Sequence, residues 1–212
     1  MHIGGNTAAS VILQNSVGDI SYTALNTLNL ASLSDDASGT VTLNSLPDPR
    51  HQGLITLNGL VSAGDVTLTS NVIKEVGAGA IQASDLSLQA QGVVTLDGAN
   101  QIARIDSGNA ASLSLIDGQA LAIVGGLTVQ NGGTMSLTTT SGNIGVNGMI
   151  GGGTLDLTSQ TGSLTESNTK GGITAGTLNA TAHTGISLNS PNNQITTVGI
   201  DHTDSGPNRI QQ

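Results

Sequence analysis

Hydrophobic and polar positions alternate in short runs along most of the chain. The unit is an apolar–polar–apolar triplet followed by a polar or glycine-containing turn. It recurs as Val11-Ile12-Leu13, Leu28-Asn29-Leu30, Val41-Thr42-Leu43, Ile55-Thr56-Leu57, Val66-Thr67-Leu68, Leu86-Ser87-Leu88 and Val94-Thr95-Leu96. It continues as Leu113-Ser114-Leu115, Leu127-Thr128-Val129, Met135-Ser136-Leu137, Leu155-Asp156-Leu157 and Ile186-Ser187-Leu188. A period of two predicts short strands with the apolar residues turned inward and the polar residue outward. The tail from Asp201 to Gln212 is polar, lacks the alternation and is expected to fray.

The triplets recur at a nearly fixed interval. Met135, Leu155 and Leu178 open successive coils, and Val66 and Leu86 open another such pair. The interval of about 20 residues suits one turn of a three-sided coil, with three short strands and three corners. A longer echo is superimposed. Asn58-Gly59-Leu60-Val61 matches Asn147-Gly148-Met149-Ile150 at an offset of 89, and Asn100-Gln101-Ile102 matches Asn193-Gln194-Ile195 at 93. One coil cannot bury its own apolar side chains, but stacked coils pair every strand with neighbours on both sides. The predicted fold is therefore all-β: a right-handed parallel β-helix, three-sided and continuous over residues 1–200. About nine coils make a rod on the order of 40 Å long.

Corners carry their own signals. Gly64, Gly79, Gly142, Gly153, Gly162, Gly176 and Gly185 are expected to supply positive φ at turns. Asn100 and Asn193 are expected to tolerate the left-handed region and to bond along a ladder. Two places break the rhythm. Leu46-Pro47-Asp48-Pro49-Arg50-His51-Gln52 carries two prolines, which cannot donate to a ladder, and reads as a loop leaving the stack. The stretch from Ala99 to Ala111 reads as a lengthened coil, since the step from Leu86 to Leu113 exceeds the usual interval. Excursions are where a solenoid most often carries function. Pro47, Asp48, Pro49, Arg50 and His51 are thus the candidate surface interaction loop.

Composition narrows the cross-section. There is no Phe, Trp or Cys and only one Tyr, so the core must be thin and aliphatic. Apolar residues at 36%, placed in alternating runs, argue against disorder. Charged residues make up 9%, and the net charge of −9 leaves no basic patch for nucleic acid or anionic lipid. No apolar run reaches the ~20 residues of a membrane span. Met1-His2-Ile3-Gly4-Gly5 does not read as a signal peptide, so the signal of an exported parent is expected elsewhere. Zero cysteine fits a cytosolic protein or one that crosses a pore unfolded.

The run from Gly171 through Ala180 and that from Gly185 through Ile195 resemble the repeats of filamentous-haemagglutinin-type large exoproteins, adhesins of the two-partner secretion class. The resemblance extends over most of the chain from Asn58 to Ile200. Autotransporter passengers share the pattern, and the family's N-terminal secretion module is not evident. The resemblance implies a secreted, surface-associated stalk. Its partners would be an outer-membrane secretion pore during export and a protein or glycan ligand on a host or neighbouring cell.

Motifs for chemistry are sparse. Asp35-Asp36 is the only adjacent acid pair and reads as solvated, in the turn before Val41. Glu75 and Glu166 fall at equivalent points of the long echo and also read as solvated. His2, His51, His183 and His202 show no metal-ligand spacing, and His202 with Asp201 and Asp204 is only a weak metal candidate. No cofactor motif or catalytic residue emerges. The expected function is a non-catalytic structural or adhesive shaft. A deep groove lined by three or more carboxylates or basic groups would overturn that expectation. The alternatives are a carbohydrate-active β-helix using the 47–52 loop with nearby acids, and a filament built by end-to-end self-association through unpaired end strands.

Overall fold

A computed structural model describes residues 2–6, 10–36, 38–202 and 208–211, with the backbone alone at 2–6, 201 and 202. The described secondary structure is all strand, with no helix. The strands pair in parallel into a β-solenoid of about ten turns, with coils of ~20 residues. Three faces follow from the pairings. The first face includes Ile20–Leu25, Thr40–Leu46, 65–70 and 85–90. The second runs from 27–30 through Leu54–Leu57, Val72–Glu75, 93–96, Ser112–Asp117, Thr134–Thr139, 154–159 and 177–182. The third includes 60–63 and 80–83 and, beyond the strand 93–110, Ile144–Val146, Ser163–Glu166, Gly185–Leu188 and Asn208–Ile210, whose ladder runs back through 121–123 to Arg104 and Ile105. Strand pairing thus continues past residue 200, to His202 and again at Asn208–Ile210.

The triplets do what their period predicts. From Leu28–Leu30 to Ile186–Leu188, the first and third residue of each is buried. On the second face, Leu28, Ile55, Ile73, Val94, Leu113, Met135, Leu155 and Leu178 stack in register. Each buried side chain of this size stabilises the fold by about 1.5–3 kcal/mol before chain entropy is charged. Tyr22 is the one aromatic in the core, in register with Leu43. Val11–Leu13 departs from the pattern: its outward residue, Ile12, is apolar and 66% exposed, and Leu13 is only partly buried.

The long echo is a structural duplication with a twist. Leu60–Ser70, Val72–Glu75 and Ala80–Ala90 recur as Met149–Ser159, Ser163–Glu166 and Gly172–Ala182, with strands of 11, 4 and 11 residues in both copies. The first copy starts on the third face and the second starts on the first face. The repeat therefore spans about four coils plus one side. Leu86 lies in a first-face ladder with Val66, whereas its echo Leu178 lies in the second-face ladder with Leu155.

Three sequence expectations differ from the structure. No coil is lengthened at Ala99–Ala111, because Leu113 pairs with Val94 and Leu86 with Ile105, each across one ordinary coil. What is unusual there is a continuous strand, Val93–Ala110, that rounds the corners. Its Arg104 and Ile105 pair with Asp85 and Leu86 on the preceding rung and with Ala122 and Ile123 on the next. The corner between faces shifts along the chain at that point. The glycine expectation holds for Gly142 and Gly185, which have positive φ, but not for the other corner glycines named. Of those, Gly79, Gly153, Gly162 and Gly176 are required by close packing. A Cβ at Gly79 would collide with the carbonyl oxygen of Leu57, and one at Gly153 with that of Gly132. Asn100 and Asn193 likewise do not adopt positive φ; among the described residues the non-glycines that do are Asn26 and Asn131.

Candidate functional site

The 47–52 segment does leave the stack, between Thr40–Leu46 on the first face and Leu54–Leu57 on the second. Elsewhere the chain turns this corner in as little as one residue, Asn71 or Ala111. The loop is folded on itself around Asp48. The Asp48 carboxylate accepts from the backbone N–H of Arg50 at 2.6 Å and of His51 at 2.8 Å. Its other oxygen accepts from Asn26 Nδ2 at 2.8 Å, which ties the loop to the rung before it. These donors, the Arg50 N–H foremost, hold the Asp48 carboxyl below the usual carboxylate range. His51 Nδ1 lies 3.3 Å from Asp48 Oδ1. Pro47, Pro49, Arg50 and His51 are exposed, so the loop presents its side chains while Asp48 is consumed in shaping it. On one side it borders a groove of about 270 Å³ at the first-to-second corner, lined among others by Leu46, Pro47, Thr69, Gln89 and Asn109.

A second groove, of about 380 Å³, lies on the first face and was not anticipated from the sequence. Asp65, Asp85, Arg104 and Asp106 line it. These acids are scattered in sequence and converge only because Asp65, Asp85 and Arg104 occupy one register position on successive rungs. Arg104 binds Asp85 bidentately, with Nε donating to Oδ1 at 2.7 Å and Nη2 to Oδ2. Asp85, followed by Asp106 and Asp65, raises the guanidinium pKa further. The groove contains three carboxylates, the number set above, but it is not deep. Asp65, Arg104 and Asp106 are exposed, and only Asp85 is half-buried.

The acids expected to be solvated are in part internal. Glu75 Oε2 accepts from Gly98 N at 2.7 Å and Asn100 Nδ2 at 3.2 Å, while Oε1 is buried without a partner. Burial pushes the Glu75 carboxyl up to about 7. Asn100 closes the clasp: its Oδ1 accepts from Ile81 N at 2.7 Å and its Nδ2 donates to Ile116 O at 3.1 Å. The duplicate repeats this arrangement. Glu166 Oε2 accepts from Ser190 N and Asn193 Nδ2, both at 2.9 Å. Asn193 Oδ1 accepts from Ile173 N at 2.8 Å, and Nδ2 donates to Gln211 O at 3.1 Å. Asp117, in register with Asn100, accepts from Ile102 N at 2.8 Å, and burial raises its carboxyl to about 6. The Asp35-Asp36 pair does sit in the turn before Val41, but only Asp36 is solvated in the sense expected. Asp35 is 7% exposed and accepts from the Asp36 N–H.

Among the described residues no group of three or more His, Asp or Glu side chains could hold a metal ion. His183 is exposed in the turn before Gly185–Leu188. The His202, Asp201 and Asp204 candidate, like His2, lies outside the described side chains. No helix among the described residues is long and apolar enough to cross a membrane. Comparison with protein-family models, with curated proteins and with solved structures gave no match.

Proposed function

We propose that the chain is a structural or adhesive shaft segment of a secreted or surface-displayed bacterial exoprotein. The duplication supports this most directly, because it repeats the interior more fully than the surface. Val66, Leu68, Ile81 and Leu86 return as Leu155, Leu157, Ile173 and Leu178, and the Glu–Asn clasp returns intact. Most outward residues compared change: Thr67 becomes Asp156, Lys74 becomes Thr165, Gln82 becomes Thr174 and Asp85 becomes Thr177, while Thr69 and Gln101 return as Thr158 and Gln194. The duplicate also faces another direction, so no surface site is doubled. A repeat of that kind adds length, which is the property a shaft needs. The parent would cross an outer-membrane pore unfolded and fold outside; a cysteine-free chain suits that route. A cell-surface protein or glycan would be its partner.

The first-face groove favours one second reading, a carbohydrate-active β-helix in which Asp65, Asp85 or Asp106 serves as acid or base. Incubation with a panel of neutral and anionic polysaccharides decides between the two. The shaft reading expects no depolymerisation products. Products that disappear in Asp85→Asn would overturn it. For export, fractionation of cells expressing the parent protein should find this segment at the surface or in the medium, and retention in the cytoplasm would contradict that placement.

A further inference from the structure

The corner groove beside the 47–52 loop has a chemistry of its own. One wall is apolar, made by Leu46 and Pro47. Its floor carries Thr69, Gln89 and Asn109, which are in register on three successive rungs. Rung spacing sets these side chains ~4.8 Å apart, about the length of one pyranose ring. None of the residues lining the groove is charged. Ser70 also lines it; its residue is 7% exposed and its hydroxyl has no hydrogen-bond partner. That hydroxyl lies below the surface, and the exposed amides of Gln89 and Gln91 are what the groove presents.

We infer that this groove binds a neutral saccharide. Amide and hydroxyl side chains both donate and accept, which matches sugar hydroxyls that also do both. The Leu46–Pro47 wall can take the C–H face of a sugar ring. The absence of a cation among the lining residues disfavours sialylated or sulfated glycans, which need charge-assisted partners. The Asp48 carboxylate, in the adjoining loop, is already bonded to Arg50, His51 and Asn26. At about 270 Å³ the site suits one or two sugar units rather than a long chain. The loop is therefore the rim of the site more than the site itself.

The inference rests on the adhesive reading and names its ligand class. The test is an array of neutral glucose-, galactose-, mannose- and N-acetylhexosamine-based oligosaccharides beside sialylated and sulfated ones. Calorimetric titration then follows with the best neutral probe. At least one neutral oligosaccharide should bind, and the exposed-residue double variant Gln89→Ala/Gln91→Ala should weaken it tenfold or more. Thr165→Ala, at an exposed position of Ser163–Glu166 away from both grooves, should bind as the parent does. Far-UV circular dichroism and melting temperature of each variant confirm the fold. Binding of no neutral probe, preference for charged glycans, or undiminished binding by the double variant overturns the inference. If any of these occurs while the polysaccharide panel stays free of products, the saccharide site falls and the shaft stands. Depolymerisation of the bound probe would instead overturn the shaft reading.

Discussion

At the scale of single residues, the Glu–Asn clasps decide most. Glu75 has a folded pKa of about 7, above the ~4.3 of an unfolded glutamate. A raised carboxyl binds its proton more tightly when folded, so its contribution is fully present below the unfolded pKa and is lost as pH rises through about 7. Asp117, raised to about 6, acts in the same direction. The melting temperature should fall between pH 5 and pH 8, and Glu75→Gln should flatten that slope and stabilise the protein at pH 8. An unchanged slope in Glu75→Gln would show that Glu75 does not titrate there. Asn193→Ala removes bonds to Ile173, Glu166 and Gln211, and denaturant titration should show a loss of about 1–3 kcal/mol. The recurrence of Asn100 and Asn193 was legible in the sequence; the burial of Glu75 was not. Strand alternation does turn Glu75 inward, two residues after the buried Ile73 and in register with Leu57, but an acid in that position breaks the apolar triplet by which inward residues are read.

Strands and corners were legible to different degrees. Every described triplet lies in a strand, because a period of two with a buried face has no other good solution in so short a run. Leu157→Ala opens a cavity between Leu137 and Ala180 and should cost about 2–5 kcal/mol. Which face a strand occupies could not be read, since all three faces carry the same aliphatic pattern. That ambiguity made Leu86 and Leu113, on different faces, look like one lengthened coil. The glycines misled for a related reason. What excludes a side chain at Gly79 is the Leu57 carbonyl of the preceding coil, and not the local turn. Gly98 is packed the same way against the Gly79 carbonyl, so Gly98→Ala should destabilise by about 1–3 kcal/mol. Replacing the 47–52 loop by a one-residue corner should leave the circular dichroism spectrum unchanged, because closing a shorter loop costs less entropy and the stack does not run through it. Loss of the β spectrum would mean that the loop holds the two faces together.

The whole molecule is one stack, and its proposed use as a shaft depends on that stack being straight and unjointed. Its function was the least legible property. The polar faces are read by rung position, and Asp65, Asp85 and Arg104 or Thr69, Gln89 and Asn109 become neighbours only once the register is known. The chain contains no cysteine, so two nitroxide labels can be placed without background. Asn44 is four rungs from Thr128 and six from Thr174 along one continuous register. Pulsed electron–electron resonance on the Asn44→Cys/Thr128→Cys and Asn44→Cys/Thr174→Cys variants measures the rod directly. A stiff, continuous solenoid gives single narrow distributions near about 19 Å and about 29 Å, in proportion to rung number. Broad or multiple distances, or a second separation no longer than the first, would contradict it.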